Sequence, residues 1–227
     1  VKEYPGGRKK HIEKLVSLYD RVCELTYGAL VLVTIPDYPD DYHPRSLWVN
    51  GRTNVDRTID NIIYALDNYE EVNWLIPVQG FNRDPLSITH EILILRELGI
   101  LKQRYYYAIA NLCVEPSTDL TIKALTIARR ELGNKHIHAF GIKKPAIIKA
   151  AKLGLINSAD SMAWTRPDGF TQKVMKKLGY DKRFSCKNEW QRELYFICWI
   201  YSLYKQLGYD DYAKKLLEEI PHGELKK

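Results

Sequence analysis

Cysteine is scarce in this chain, four among 227 residues, and the four never group. Cys23, Cys113, Cys186 and Cys198 each stand alone in a periodic apolar segment, which excludes a disulfide scaffold and fits a reducing, intracellular compartment. The expected location is cytoplasmic. Long hydrophobic runs are missing as well. The longest, Leu194 to Tyr204, is about half the length a membrane span requires and is broken by Ser202, so no membrane partner is expected. Residues Val1 to Lys10 lack the apolar centre of a signal peptide, and the chain does not begin with Met, so an upstream segment is expected. Repeats and low-complexity stretches are absent. The 34 Lys and Arg against 28 Asp and Glu leave a formal charge of +6, which permits a polyanionic partner without requiring one.

What is present is a regular alternation. Apolar runs rich in β-branched and aromatic residues lie at Ala29 to Ile35, Asn73 to Val78, Tyr105 to Ile109, His136 to Gly141 and Ser158 to Met162. Between them run segments of helical period: Ile59, Ile62, Ile63 and Leu66; Ile88, Ile92, Leu95 and Leu98; Leu120, Ala124, Ile127 and Ala128; Ile147, Ile148 and Ala151. Another helix precedes the first strand, with Ile12, Leu15, Val16, Tyr19 and Val22 on one face. Strands buried on both sides and joined by helices imply parallel βαβ units, hence a doubly wound sheet or a barrel. After Gly169 the pattern is helical only, with Trp190, Leu194, Ile197, Tyr201 and Tyr204 on one apolar face and Tyr212, Leu216 and Leu217 on another. Asp37 to Arg52, holding Pro39, Pro44 and Gly51, reads as the one long loop.

In parallel α/β folds, ligands bind where the C-terminal ends of the strands converge. The polar residues expected there are Thr34 and Asp37, Gln79 and Gly80, Asn111 and Cys113, His138 and Gly141, then Asp160 and Arg166. Each has a plain structural alternative. Gln79 can bond a loop, Asn111 can occupy a left-handed turn, His138 can be a satisfied core histidine and Asp160 can cap the turn that follows it. An ionised carboxylate buried in a strand of small residues costs several kcal/mol, so Asp160 is expected at the strand's mouth.

Four segments, taken in order, resemble one family. Val78-Gln79-Gly80, Tyr107-Ala108-Ile109-Ala110-Asn111-Leu112-Cys113-Val114, Phe140-Gly141 and Asp160-Ser161-Met162-Ala163-Trp164-Thr165-Arg166 follow the order and approximate spacing of the tRNA-guanine transglycosylases, over roughly residues 29 to 166. The His-x-Phe-Gly and Asp-Ser-x-x-Trp forms look closest to the DpdA-like proteins that insert 7-deazaguanine into DNA. The resemblance implies an α/β fold: a TIM-barrel-like (β/α)8 sheet, incomplete at its N-terminus, over residues 1–169, with a C-terminal helical segment, 170–227, packed on it. Three strands would precede Val1.

The resemblance further implies a base-exchanging glycosyltransferase whose nucleophile is Asp160. Asp37, Gln79, Gly80, Asn111, Leu112 and Cys113 would hold the base, and Arg166 a phosphate or ribose. Thr34, His138 and Ser161 would line the pocket, and no cofactor would be needed. The partners would be DNA or tRNA, a 7-deazaguanine base, and a second copy or partner subunit.

Three departures stand out. Thr34 occupies the place of the family's base-reading aspartate, leaving Asp37 as the substitute, and only Tyr4-Pro5-Gly6-Gly7 lies where a second aspartate segment would be. The family's zinc motif is missing, since Cys186 and Cys198 are solitary and His222 has no grouped thiolates, so no metal is expected. The alternatives are a tRNA-directed enzyme, a nucleic-acid-binding relative without catalysis, and an unrelated barrel hydrolase using Asp160 with Asp37.

Overall fold

A computed structural model describes residues 4, 6–40, 48–49, 51–81, 84–102, 104–113, 115, 117–166, 168–178 and 189–218. The chain divides into two compact units, Val1–Gly141 with Gly154–Asp160, and Ile142–Leu153 with Ser161–Lys227.

The first unit holds a five-stranded, wholly parallel sheet: β1 (Val33–Thr34), β4 (Trp74–Val78), β5 (Tyr106–Ile109), β6 (His136–Ala139) and β7 (Ser158–Ala159), adjacent in that order. It curls into a half-barrel in which strands and helices alternate. The five apolar runs thus become five neighbouring strands, although β1 and β7 are only two residues long. Helices α1 (Gly7–Leu25), α2 (Asn54–Asn68), α3 (Ile88–Glu97) and α4 (Thr118–Leu132) complete this unit. The long loop is not featureless, because β2 (Trp48–Val49) pairs with β3 (Arg52–Thr53) in an antiparallel ladder. Residues 41–47 of it lie outside the described residues.

Residues paired across neighbouring strands share a face. Trp74, Ile76, Val78, Tyr107, Ile109, Ile137 and Ala139 form one face and are all buried. Leu75, Tyr106 and His136 lie on the other, as do Pro77, Ala108, His138 and Ser158. Apolar burial of about 25 cal/mol per Å² on the first face is the main force holding the sheet to its helices. Local signals set the helix ends. Thr53 and Asp56 form a capping box at α2, and Ser117 caps α4, which stops at Gly133 with φ of 61°.

Arg129 on α4 fastens the last strand. Its guanidinium donates to the carbonyls of Leu155, Gly133 and Lys135 at 3.2, 2.7 and 2.9 Å and to Asn157 Oδ1 at 2.9 Å. The same Oδ1 accepts from Ile137 N, and Asn157 N donates to the Ile137 carbonyl, so the approach to β7 is clamped against β6.

The second unit is helical: α5 (Lys144–Lys152), α6 (Gly169–Lys177), α7 (Glu189–Leu207) and α8 (Asp210–Glu218). Val174, Met175, Leu194, Tyr195 and Cys198 form its core. Lys144 is buried, with Nζ donating to Asp168 Oδ2 at 2.8 Å and to Ser202 Oγ. Tyr212 departs from the expected buried face. Its side chain is exposed and joins Tyr204 and Tyr209 in a ring cluster, while Ala213 is the buried residue of α8. No helix among the described residues is long and apolar enough to cross a membrane.

Replacing Arg129 takes the guanidinium donor from three carbonyls and leaves Asn157 Oδ1 with the Ile137 N–H alone, so Arg129→Ala is expected to lower stability by about 1–3 kcal/mol. Arg129→Lys should recover only part, because an ammonium cannot reproduce the guanidinium fork. Urea denaturation of the three proteins measures this, and equal midpoints would refute the clamp.

Candidate active site

Asp160 follows β7 directly and stands at the sheet's C-terminal edge, its side chain 55% exposed. Its backbone N–H donates to the Ala139 carbonyl at 3.3 Å, which continues the ladder and fixes where the side chain leaves the sheet. Oδ1 accepts twice, from the Gly141 N–H at 3.0 Å and from His138 Nε2 at 3.2 Å. The His138 bond foremost, and then the Gly141 N–H, hold the carboxyl below the usual aspartate range against the opposing effect of partial burial. Asp160 is therefore an ionised, outward-facing carboxylate with one oxygen pinned.

Gly141 reaches it through a left-handed turn, φ 62°, where a Cβ would come within 2.6 Å of Cys113 Cβ. That approach brings the Asn111-Leu112-Cys113 loop beside the Asp160 site. Asn111 does adopt the left-handed conformation, φ 60°, and its Nδ2 donates to the Gly80 carbonyl at 2.9 Å. Gly80 itself has no room for a side chain, because a Cβ would lie 1.9 Å from the Asp84 carbonyl oxygen. Leu112 is buried and Cys113 exposed, so this cysteine, unlike Cys198, does not belong to the core.

Gln79 is arranged otherwise than the resemblance implies. It is fully buried, and its Nε2 donates to the Tyr38 carbonyl at 3.1 Å and to Thr58 Oγ1 at 3.0 Å, so the donors assigned to a base serve the loop after β1 and helix α2. Its backbone N–H donates to Glu91 Oε2 at 2.7 Å. Glu91 is buried too, and burial pushes its carboxyl well above the usual range, with the Asp37 charge adding to the Gln79 bond's losing contest. Asp37 is half-buried, its carbonyl accepting from Tyr4 Oη at 2.6 Å, and Thr34 is half-buried in β1. Four buried side-chain oxygens in this region have no partner among the described residues: Asp40 Oδ2, Asn61 Oδ1, Gln79 Oε1 and Glu91 Oε1.

Ser161 and Arg166 belong to the second unit. Ser161 Oγ accepts from Ala163 N at 3.1 Å, and exposed Arg166 closes the short 3₁₀ turn Ala163–Thr165. Cys186 and His222 lie outside the described residues, among which no group of three His, Cys, Asp or Glu side chains is set to hold a metal ion.

Sequence reasoning passed over three residues. Ser158 Oγ lies 2.9 Å from His138 Nδ1 and 3.0 Å from His136 Nε2. The His-Ile-His alternation of β6, which puts both rings on one face, was the available signal. Glu91 announced itself as a charge on the apolar stripe Ile88, Ile92 and Leu95 of α3. The chain matches no protein-family model and no curated protein.

The Glu91 carboxyl titrates higher folded than unfolded, so its contribution to stability is whole below about pH 4.3 and is lost as pH rises toward the folded value. Glu91→Gln removes that loss. The variant should gain on wild type by roughly 1.4 kcal/mol per pH unit over that interval. Denaturation curves between pH 4 and 8 that run parallel for the two proteins would contradict a neutral, buried Glu91.

Proposed function

We infer that this protein exchanges bases in nucleic acid, replacing guanine with a 7-deazaguanine derivative in DNA through a covalent aspartyl-glycosyl intermediate. The observation carrying the reading is the Asp160 carboxylate, ionised at a strand mouth with both donors on Oδ1, which leaves Oδ2 for a reacting carbon. The order of the Gln-Gly, Asn-Leu-Cys, Phe-Gly and Asp-x5-Arg segments supports the family, and the half-barrel is consistent with a partial (β/α) barrel.

The chemistry balances in two displacements. Asp160 Oδ2 bonds C1′ as the bond from C1′ to the base nitrogen breaks, the electron pair leaving with the base, which takes up a proton. In the return step the incoming base's nitrogen bonds C1′ and loses its proton, and the bond between C1′ and Oδ2 breaks to restore the carboxylate. The Gly141 N–H and His138 Nε2 then stabilise the charge that reappears on Oδ1, an electrostatic role aimed at the leaving carboxylate. The loop of Asn111, Leu112 and Cys113 is the base-reading element in this account. By its place in the Asp-x5-Arg segment alone, Arg166 would supply the phosphate or ribose contact, for which guanidinium geometry is suited.

Incubated with duplex DNA in the absence of free base, the protein is expected to form an adduct that survives a denaturing gel, and Asp160→Ala to form none while folding normally. Adduct with tRNA but not DNA would move the substrate to tRNA. Identical behaviour of the two proteins on both polymers would refute the nucleophile.

Binding should also weaken with salt, with a log-log slope of about −0.9 per phosphate contact on duplex DNA. Arg166→Ala is expected to flatten the slope by roughly one such contact whatever the sequence. A slope unchanged by the substitution would remove Arg166 from the phosphate path.

A further inference from the structure

Beneath Asp160 the hydrogen bonding continues inward. His138 Nε2 meets Asp160 Oδ1 at 3.2 Å, His138 Nδ1 meets Ser158 Oγ at 2.9 Å, and the same Oγ meets His136 Nε2 at 3.0 Å. Register produces the alignment. His136 and His138 share one face of β6, and Ser158 is the ladder partner of His138 on β7. A Ser-His-Asp hydrolase would expose the serine and bury the acid. Here the open end is the acid, with Asp160 55% and His138 16% exposed.

One hydroxyl hydrogen lies between two imidazole nitrogens. When Ser158 donates to one ring, the other ring is best placed to donate to Ser158. With His138 neutral and its Nε2–H held by Asp160, Ser158 donates to the bare His138 Nδ1 and accepts from His136 Nε2–H. With His138 charged, its Nδ1–H donates to Ser158, whose hydroxyl turns to a bare His136 Nε2. The side chains facing the pair are Tyr106 from β5, its ring edge-on to His136 at 5.3 Å, Arg129 from α4, Phe140 after β6, and Asp160.

We propose that His138, Ser158 and His136 form a proton relay that moves one proton inward when the charge on Asp160 is lost and returns it when that charge reappears. Its use in catalysis rests on the transglycosylase reading; its existence does not. When Oδ2 bonds C1′, a charged His138 loses its anionic partner. The bond between His138 Nδ1 and its proton then breaks as Ser158 Oγ takes that proton, and the hydroxyl's own proton passes to His136 Nε2. His138 is left neutral, with Nε2–H still on Oδ1, and His136 carries the charge. No proton enters or leaves. Burial and the nearby Arg129 charge disfavour the charged form of His136, and the restored carboxylate favours a charged His138, so the proton returns once the carboxylate does. Ser158 and His136 are thus positioning residues for Asp160, acting through His138.

The test is a titration of the ¹⁵N-labelled full chain from pH 8 to 5, following imidazole tautomers in long-range ¹H–¹⁵N spectra. In wild type and in Ser158→Thr, His136 should pass from the Nε2–H to the Nδ1–H tautomer as His138 becomes charged. In Ser158→Ala it should keep one tautomer. Asp160→Asn, a neutral stand-in for the ester, removes the anion beside His138 and should move the switch to lower pH. A His136 tautomer that stays constant through the wild-type titration, a switch that survives in Ser158→Ala, or a switch indifferent to Asp160→Asn overturns the relay. Should Ser158→Ala not fold, the wild-type and Asp160→Asn titrations still decide. Nucleic acid is not used, so failure to form the covalent adduct would refute the transglycosylase reading and leave the relay standing, and the converse also holds.

Discussion

Two ladder pairs between β6 and β7, His138 with Ser158 and Ala139 with Ala159, determine where every group of the candidate site falls. Strand side chains alternate faces, so slipping β7 by one residue would turn Ser158 away from both histidines and Asp160 away from Gly141. A two-residue strand has little ladder of its own with which to resist such a slip. The resistance comes from outside it, from Arg129 gripping Leu155 and Asn157, and from Asn157 bracketing Ile137. A guanidinium on a helix thereby fixes the register of a carboxylate at the sheet's edge.

The fold was largely legible because its signals are local and repeated. Five apolar runs separated by helical periods can hardly be read other than as parallel βαβ units, and the five runs became five adjacent strands in chain order. Asp160, His138 and Gly141 were legible for a related reason, as polar residues at ends of apolar runs. What escaped was register. That Ser158 lies between two rings depends on which residue of one strand faces which residue of the next, and no single segment encodes it. Glu91 was hidden differently, since a lone acid on an apolar helix stripe carries meaning only once its partner, the Gln79 N–H at the end of β4, is in view.

Gln79 shows how a motif can keep its place and change its company. Its Val-Gln-Gly segment carries part of the resemblance, yet the amide donors go to Tyr38 and Thr58, and the residue is sealed from solvent. Around the end of β4, Gln79 Oε1 and one oxygen each of Asp40, Asn61 and Glu91 are buried with no partner among the described residues. Leaving such groups bare costs about 1–3 kcal/mol each, which the apolar packing and the remaining hydrogen bonds of the region must offset. Thr34 is half-buried in the same neighbourhood. On the transglycosylase reading we propose, a buried Gln79 leaves base recognition to Asn111, Leu112 and Cys113.

Two carboxyl groups follow from the same sheet with opposite fates. Asp160 is exposed and supported by two donors, so its ionised form is favoured, whereas Glu91 is enclosed and supported by one, so its neutral form is favoured. Environments that push a pair of acids apart in this way assign them separate roles. The acid held below the ordinary range stays charged throughout the neutral region, and the acid raised by burial is too enclosed to exchange protons with a substrate. Neither alone would give an activity that varies between about pH 5 and 8, the range in which imidazole changes charge. The two histidines of β6 are joined to Asp160 Oδ1 by an unbroken run of hydrogen bonds, so on the reading we propose a change at either ring reaches that carboxylate along those bonds.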